Sequence, residues 1–216
     1  MTPSVPFAER WKIEMKKRLF GVFLAAAACV ILLSAIRTEQ LLHDMSQKVL
    51  RFHVLANSDE ERDQDLKLKV RDAVGSFMAE QLKNADTIEQ SRQIVNSNLE
   101  EICAQAQNVV EQEGYDYPVS AALVRTDFPE KTYGQYTFPA GNYEALRVVI
   151  GEGEGHNWWC VMYPNLCFSG SMYSVDEASG ETLRQVLTEE EYRAVMEEGN
   201  YKVRFKILGF LNKVLE

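Results

Sequence analysis

The run Gly151-Glu152-Gly153-Glu154-Gly155-His156 is the densest set of groups in this chain that could do chemistry. Three glycines at alternate positions give a backbone free to take positive φ or to approach another chain closely. The run lacks the Lys-Ser/Thr ending of a phosphate loop, its carboxylates would repel phosphate, and its spacing is not that of a dinucleotide fingerprint. On an extended strand Glu152, Glu154 and His156 would share one face, the pattern of a two-carboxylate, one-imidazole metal set. The plainer reading, a flexible acidic hairpin tip ahead of an aromatic strand, is the expectation, with no metal and no other cofactor.

Trp158 and Trp159 follow at once. Neighbours on a strand face opposite ways, so one indole fills a core while the other looks outward, either onto a partner or under a covering segment of this chain. Cys160 and Cys167 flank Tyr163-Pro164-Asn165-Leu166, whose Pro and Asn suit the centre of a type I turn. That reversal can bring the two sulfurs together, and a bridge closing a loop of about eight residues would stabilise by roughly 2.5 kcal/mol. The alternative is two reduced thiols packed as small hydrophobes, as expected of Cys103. His43 and His53 fall in a linker and a strand, and no Gly-x-Ser-x-Gly, His-Glu-x-x-His or Cys-His signature is present. Nothing singles out a general acid/base pair among the 32 acidic residues, and composition alone leaves the function open.

The elements that must position these groups are legible from periodicity. Residues 49–56 read as a strand that Asn57-Ser58 ends. Ser58 and Glu61 form a capping box for the helix that follows, whose Leu66, Val70, Ala73, Val74 and Phe77 make one stripe. Asp63, Lys67 and Arg71 share another face of that helix, either as a contact surface or as an ordinary solvated ion-pair face in which Asp63 pairs with Lys67 and Asp65 with Lys69. A second amphipathic helix, capped by Asp86 and Glu89, runs to Gly114. From Tyr117 the period becomes two, and residues 117–126, 131–138, 142–150 and 157–163 look like four strands of an antiparallel meander. The expected class is α+β: a two-layer domain in which the helices cover one face of the sheet, followed by a mostly helical C-terminal tail.

Ahead of this domain, residues 19–36 form an uncharged apolar run of about the length that spans a bilayer. Five basic against two acidic side chains precede it, so the positive-inside rule leaves the N-terminus in the cytoplasm and sends residues 37–216 across the membrane. Leu33-Ser34-Ala35 matches a signal-peptidase site only in part, which leaves a cleaved signal peptide and a permanent anchor both open. The net charge of −9 becomes −12 for residues 37–216, which speaks against nucleic acid as a partner. The organisation expected is a cytoplasmic stub and membrane segment over 1–36, a polar linker over 37–48, the α+β domain over 49–169 and a variable extension over 170–216. Export makes a disulfide permissible.

Two blocks of residues carry a resemblance. The first is Arg51-Phe52-His53-Val54-Leu55-Ala56-Asn57-Ser58-Asp59 with Asp63-Gln64 and Leu66-Lys67-Leu68-Lys69-Val70-Arg71-Asp72-Ala73-Val74. The second joins Tyr133-Gly134, Phe138-Pro139-Ala140-Gly141, Tyr143-Glu144-Ala145-Leu146-Arg147-Val148-Val149-Ile150-Gly151, Gly155-His156-Asn157-Trp158-Trp159-Cys160-Val161 and Leu166-Cys167-Phe168. Together they resemble the stage II sporulation protein R family over residues 49–168, as does the N-terminal export segment, while nothing past Ser169 matches its pattern. The resemblance implies a signal made in the forespore and exported to the space between the septal membranes. There it would activate the membrane-bound aspartic protease of the mother cell, which processes the sigma-E precursor, by binding it and without being an enzyme itself. The surface expected to meet the extracytoplasmic part of that protease comprises Glu152, Glu154, His156, Trp158 and Trp159 with Asp63, Lys67 and Arg71. The alternative function is an exported metal-dependent hydrolase acting on peptidoglycan or peptides, with Glu152, Glu154 and His156 as ligands.

Overall fold

Alternation along Leu50–Leu55 sends Leu50, Phe52 and Val54 to one side and Arg51 and His53 to the other, and all five are buried. A strand buried on both faces has to lie inside a sheet. In the computed structural model, which describes residues 7–164, 166 and 177–196, this strand, β1, occupies such a place. The remaining strands are β2 (Val119–Phe128), β3 (Lys131–Tyr133), β4 (Tyr136–Phe138), β5 (Gly141–Ile150) and β6 (Asn157–Tyr163). The main sheet has the order β2-β5-β1-β6, with β1 parallel to β5 and antiparallel to β6. The architecture is α+β as expected, but the sheet is mixed and not a simple antiparallel meander. The reason is β1 itself, whose two buried faces can be satisfied only between β5 and β6. The segment read as one strand over 131–138 is instead a separate ribbon of β3 and β4, turned at Gly134, where φ is +58°.

On the inner face, α2 (Glu61–Gln81), α3 (Ile88–Ser97) and α4 (Leu99–Gln112) close the main core. Leu66, Val70, Val74 and Met78 of α2, Val95 of α3, and Ile102, Ala106 and Val110 of α4 meet Leu50, Phe52, Val54, Leu146, Val148 and Ile150. Two caps differ from expectation. Helix α2 has Glu60 at its N-cap with no side-chain cap, because the Ser58 hydroxyl is turned to Asp63. The stretch from 86 to 114 is two helices interrupted at Asn98, and its cap is Thr87, whose hydroxyl accepts from the Gln90 amide at 3.2 Å.

The outer face of the sheet is covered too, so the domain has a third layer. Met45, Val49, Tyr136, Phe138, Val161 and Leu166 form a second cluster with Leu183, Leu187 and Val195. The last three come from α5 (Glu177–Val186), from the residue that follows it and from α6 (Glu189–Met196), so described helices of the C-terminal extension belong to the domain's packing. Thr188 and Glu191 form a reciprocal capping box at α6, with N···O distances of 2.6 and 3.3 Å. The buried Glu191 also takes the Lys48 ammonium at 2.7 Å. The segment expected as a linker, 37–48, is helical, being the end of α1 (Phe7–Lys48). One compact unit covers Met1–Leu41, and the other begins at Leu42. Within the first, the apolar run exposes Leu19, Phe20, Val22, Phe23 and Val30, and α1 is long and apolar enough to cross a membrane.

The outer layer is organised by Arg51. Its guanidinium is fully buried, donates from Nε to the Cys160 carbonyl and from Nη2 to the Tyr133 hydroxyl, both at 3.0 Å, and leaves Nη1 unpartnered. The rings of Phe128, Tyr143, Phe138 and Tyr133 lie 4.5, 4.9, 5.3 and 5.7 Å from its carbon centre. Among the described residues no carboxylate pairs with it. Truncation would remove both the cation held by these rings and the volume they close on. Arg51→Ala is therefore expected to lower stability by about 3 kcal/mol or more, whereas Arg51→Met, which keeps much of the volume, should lose less than half of that. Urea unfolding at neutral pH separates the two; equal losses would mean that the charge alone matters.

His53 stacks on Trp159, with ring centroids 5.0 Å apart and planes 8° apart, and touches Phe128. Both its ring nitrogens are buried without a partner. Burial first, then the positive charges of Arg147 and Arg51, lower its pKa from an ordinary 6.5 to about 4. The folded state thus holds His53 neutral where the unfolded chain would protonate it. The resulting stabilisation is complete above the unfolded pKa and is lost as pH falls towards about 4, a total of about 3 kcal/mol. His53→Phe keeps an aromatic ring against Trp159 and should lose that much less stability than wild type between neutral and acid pH in urea unfolding. Parallel pH profiles for the two proteins would refute the assignment.

Candidate functional site

Strands β1 and β5 run parallel and end side by side, so the turn after β1 and the glycine-rich tip after β5 emerge at the same edge of the sheet. There Asn57-Ser58-Asp59 and residues 151–156 are bonded together. Gly155 N donates to the Ala56 carbonyl at 3.0 Å and Glu154 N to the Asn57 carbonyl at 3.2 Å. Glu152 N donates to Asn57 Oδ1 at 3.1 Å, and His156 N to Asp59 Oδ1 at 2.6 Å. The glycines are what permit this approach. A Cβ on Gly155 would stand 2.2 Å from the Ser58 carbonyl oxygen, and Gly151, at φ +59°, would place one 2.2 Å from Asn57 Oδ1. The tip expected to be flexible is therefore docked.

Helix α2 supports the turn from beneath. Asn57 Nδ2 and Ser58 Oγ donate to Asp63 Oδ2 at 2.8 and 2.7 Å, and Gln64 Nε2 donates to the Ser58 carbonyl at 2.9 Å. Burial pushes the Asp63 carboxyl up, but hydrogen bonds from Asn57, Ser58 and Tyr117 outweigh it and leave it below the usual carboxylate range. Lys67 donates to the His156 carbonyl at 2.9 Å, and its burial lowers its pKa. The Arg71 guanidinium lies 5.1 Å from the Trp158 ring centre and donates to Asp72. Asp63, Lys67 and Arg71 are all buried, which corrects both readings of that face: it is neither a solvated ion-pair stripe nor an accessible contact surface. Its charges were uncovered in local periodicity, but a loop some ninety residues later in sequence lies over them. The Asp63–Lys67 and Asp65–Lys69 pairs do not form; Lys69 pairs with Glu113.

The two indoles face opposite ways, as strand alternation requires. Trp158 lies edge-on to Phe52 at 5.5 Å in the main core, and Trp159 packs on His53 and Phe128 on the outer face. Both are half-buried, so neither stands free as the outward aromatic anchor. Glu152, Glu154 and His156 are exposed. They do not assemble the metal set of the hydrolase alternative: among the described residues no three His, Cys, Asp or Glu are grouped to hold an ion. Cys160 is disulfide-bonded, and Cys29 and Cys103 are free; Cys167, its expected partner, lies outside the described residues. The Tyr163–Pro164 peptide is cis, and the Leu166 amide donates back to the Val161 carbonyl at 3.3 Å, so the chain reverses there.

Sequence reasoning missed Asn57, Asp59 and Gln64 as parts of this site. For Asn57 and Asp59 the signal was the polar Asn-Ser-Asp run between a strand and a helix, a place where short side chains bond to nearby backbone. Asp59 Oδ1 also meets His156 Nδ1, and that side-chain hydrogen bond, followed by the one from the His156 amide, holds the Asp59 carboxyl below its ordinary value.

The fold and this surface define an α+β domain with an apolar N-terminal helix, presenting a polar edge whose loops are hydrogen-bonded to each other. The chain belongs to the stage II sporulation protein R family, whose model matches residues 46–173. That match opens inside the buried end of α1 and closes before α5. Over 138 residues the chain is 39% identical to Stage II sporulation protein R of Bacillus subtilis (strain 168), a similarity covering 64% of this chain and 59% of that relative. The chain thus spans less than two thirds of the relative's length. No solved structure matches it.

Gly155→Ala tests the docking of the tip. The added methyl must displace backbone, so a loss of about 1–3 kcal/mol is expected, with faster amide exchange at Glu154, Gly155 and His156. Glu152→Ala, at an exposed position, should stay within about 0.5 kcal/mol of wild type. Unchanged exchange in Gly155→Ala would show that the tip is not held by this contact.

Proposed function

We propose that this protein is exported from the forespore into the space between the septal membranes, where it activates the membrane-bound aspartic protease of the mother cell that processes the sigma-E precursor. It acts as a binding partner of the protease's extracytoplasmic part and needs no active site of its own. Membership of the stage II sporulation protein R family is the observation that carries this reading. The apolar helix near the N-terminus, preceded by basic residues, is compatible with export. The docked tip supports a ligand's role, because loops already ordered by their own hydrogen bonds add little ordering entropy to the cost of binding. Activation then follows from differential affinity. A ligand that binds the active arrangement of the protease more tightly than the inactive one shifts the population towards it, and a change from 1:99 to 99:1 takes about 5.5 kcal/mol.

The test adds purified residues 37–216 to membranes bearing the protease and its precursor substrate. Wild type should produce processing, and the double charge reversal Glu152→Lys with Glu154→Lys should raise the concentration needed by about tenfold, equivalent to about 1.4 kcal/mol of binding. Circular dichroism of the variant should match wild type, since both side chains are exposed. A folded wild-type fragment that yields no processing would sink the proposal.

A further inference from the structure

We infer that His156 is the group by which this edge reads its partner, accepting at Nε2 a hydrogen bond from a Lys or Arg side chain of the bound protein. The inference rests on the binding role proposed above and names the chemistry of the contact. His156 is 81% exposed in its side chain, yet it is held at three points. Its amide and its Nδ1 both meet Asp59 Oδ1, and its carbonyl accepts from Lys67. Gly155, unable to bear a Cβ against the Ser58 carbonyl, fixes the backbone that aims the ring.

The Asp59 carboxylate can only accept, so the ring nitrogen facing it carries the proton. In the neutral imidazole this leaves Nε2 as a bare lone pair, and no described residue meets it. A partner that buries this nitrogen must bring a donor to it in place of water. Glu152 and Glu154 precede the ring by four and two residues, are exposed, and make no ion pair with any described residue. With Asp59 they favour a cationic donor over a hydroxyl or an amide. Residues 37–216 as a whole carry a net charge of −12, which adds long-range attraction for a basic surface.

The test uses the full chain in proteoliposomes and has two readouts. The first is the tautomer of His156, from imidazole nitrogen shifts in labelled protein slightly above neutral pH, with His156→Ala identifying the signals. Wild type should show Nδ1 protonated and Nε2 bare, and Asp59→Asn should shift the ring towards the Nε2-protonated form. The second is processing by the membrane-bound protease. His156→Gln, whose amide oxygen can stand near the position of Nε2, should stay within about threefold of wild type, while His156→Ala should lose about tenfold. Raising salt from about 50 to about 300 mM should weaken wild type more than His156→Ala with Glu152→Gln and Glu154→Gln. A protonated Nε2 in wild type, an active His156→Ala, or no difference in salt response would each overturn the inference. Absence of processing by wild type would instead remove the binding role beneath it, and the tautomer result would still stand as measured.

Discussion

A guanidinium buried without a carboxylate is the constraint on which the outer half of this domain depends. Taking a cation out of water costs several kcal/mol even after relaxation, and Arg51 recovers that only from two hydrogen bonds and the faces of four aromatic rings. Those rings come from the end of β2, from β3, from β4 and from β5, and the carbonyl that takes Nε comes from β6. No single element can supply the cage. The ribbon must therefore lie on the sheet before Arg51 is compensated, and the sheet must have β1 at its centre for the side chain to reach it. The burial of the cation and the mixed strand order are two sides of one arrangement.

The same strand couples this layer to the exposed edge. Along β1, Phe52 and Val54 fill the inner core, Arg51 and His53 fill the outer layer, and the chain then passes directly into Asn57-Ser58-Asp59. β5 ends in the glycine tip and β6 begins just after His156, so three adjacent strands enter or leave the candidate surface. Asp63 and Lys67 of α2 secure it from the inner side. Polar groups that are buried one layer down thus hold exposed groups in place one layer up, the usual way a site on loops gains the precision of a site on strands.

Much of this was legible in residue patterns, and the exceptions share a cause. The inner stripe of α2, the strands outside 131–138 and the opposed indoles follow from local periodicity, which reports how one element divides its own faces. Periodicity does not report what covers the other face. Leu-Arg-Phe-His-Val-Leu looks half-buried because Arg and His alternate with apolar residues, and only the aromatic cage reveals a strand buried on both sides. Asp63, Lys67 and Arg71 look solvated for the same reason, until the tip and Trp158 lie over them. Residues 37–48 look like a linker because they are polar, yet Met45 and Ser46 are buried and Lys48 pairs with Glu191 of α6, a contact 143 positions away in sequence.

The distribution of order over the surface fits the proposed role. A ligand that shifts a partner's equilibrium needs interaction energy that differs between two states, and every side chain that must be immobilised on binding subtracts about 0.5–1.5 kcal/mol from what remains. Glu152, Glu154 and His156 sit on a backbone that is already bonded to the β1 turn, so the further cost of ordering that loop is met during folding, where the large inner core of this domain can absorb it. The glycines at 151 and 155 are then not signs of looseness. They are the residues small enough to let one loop lie close against another, and the exposure of three polar side chains on a hydrogen-bonded backbone is the result.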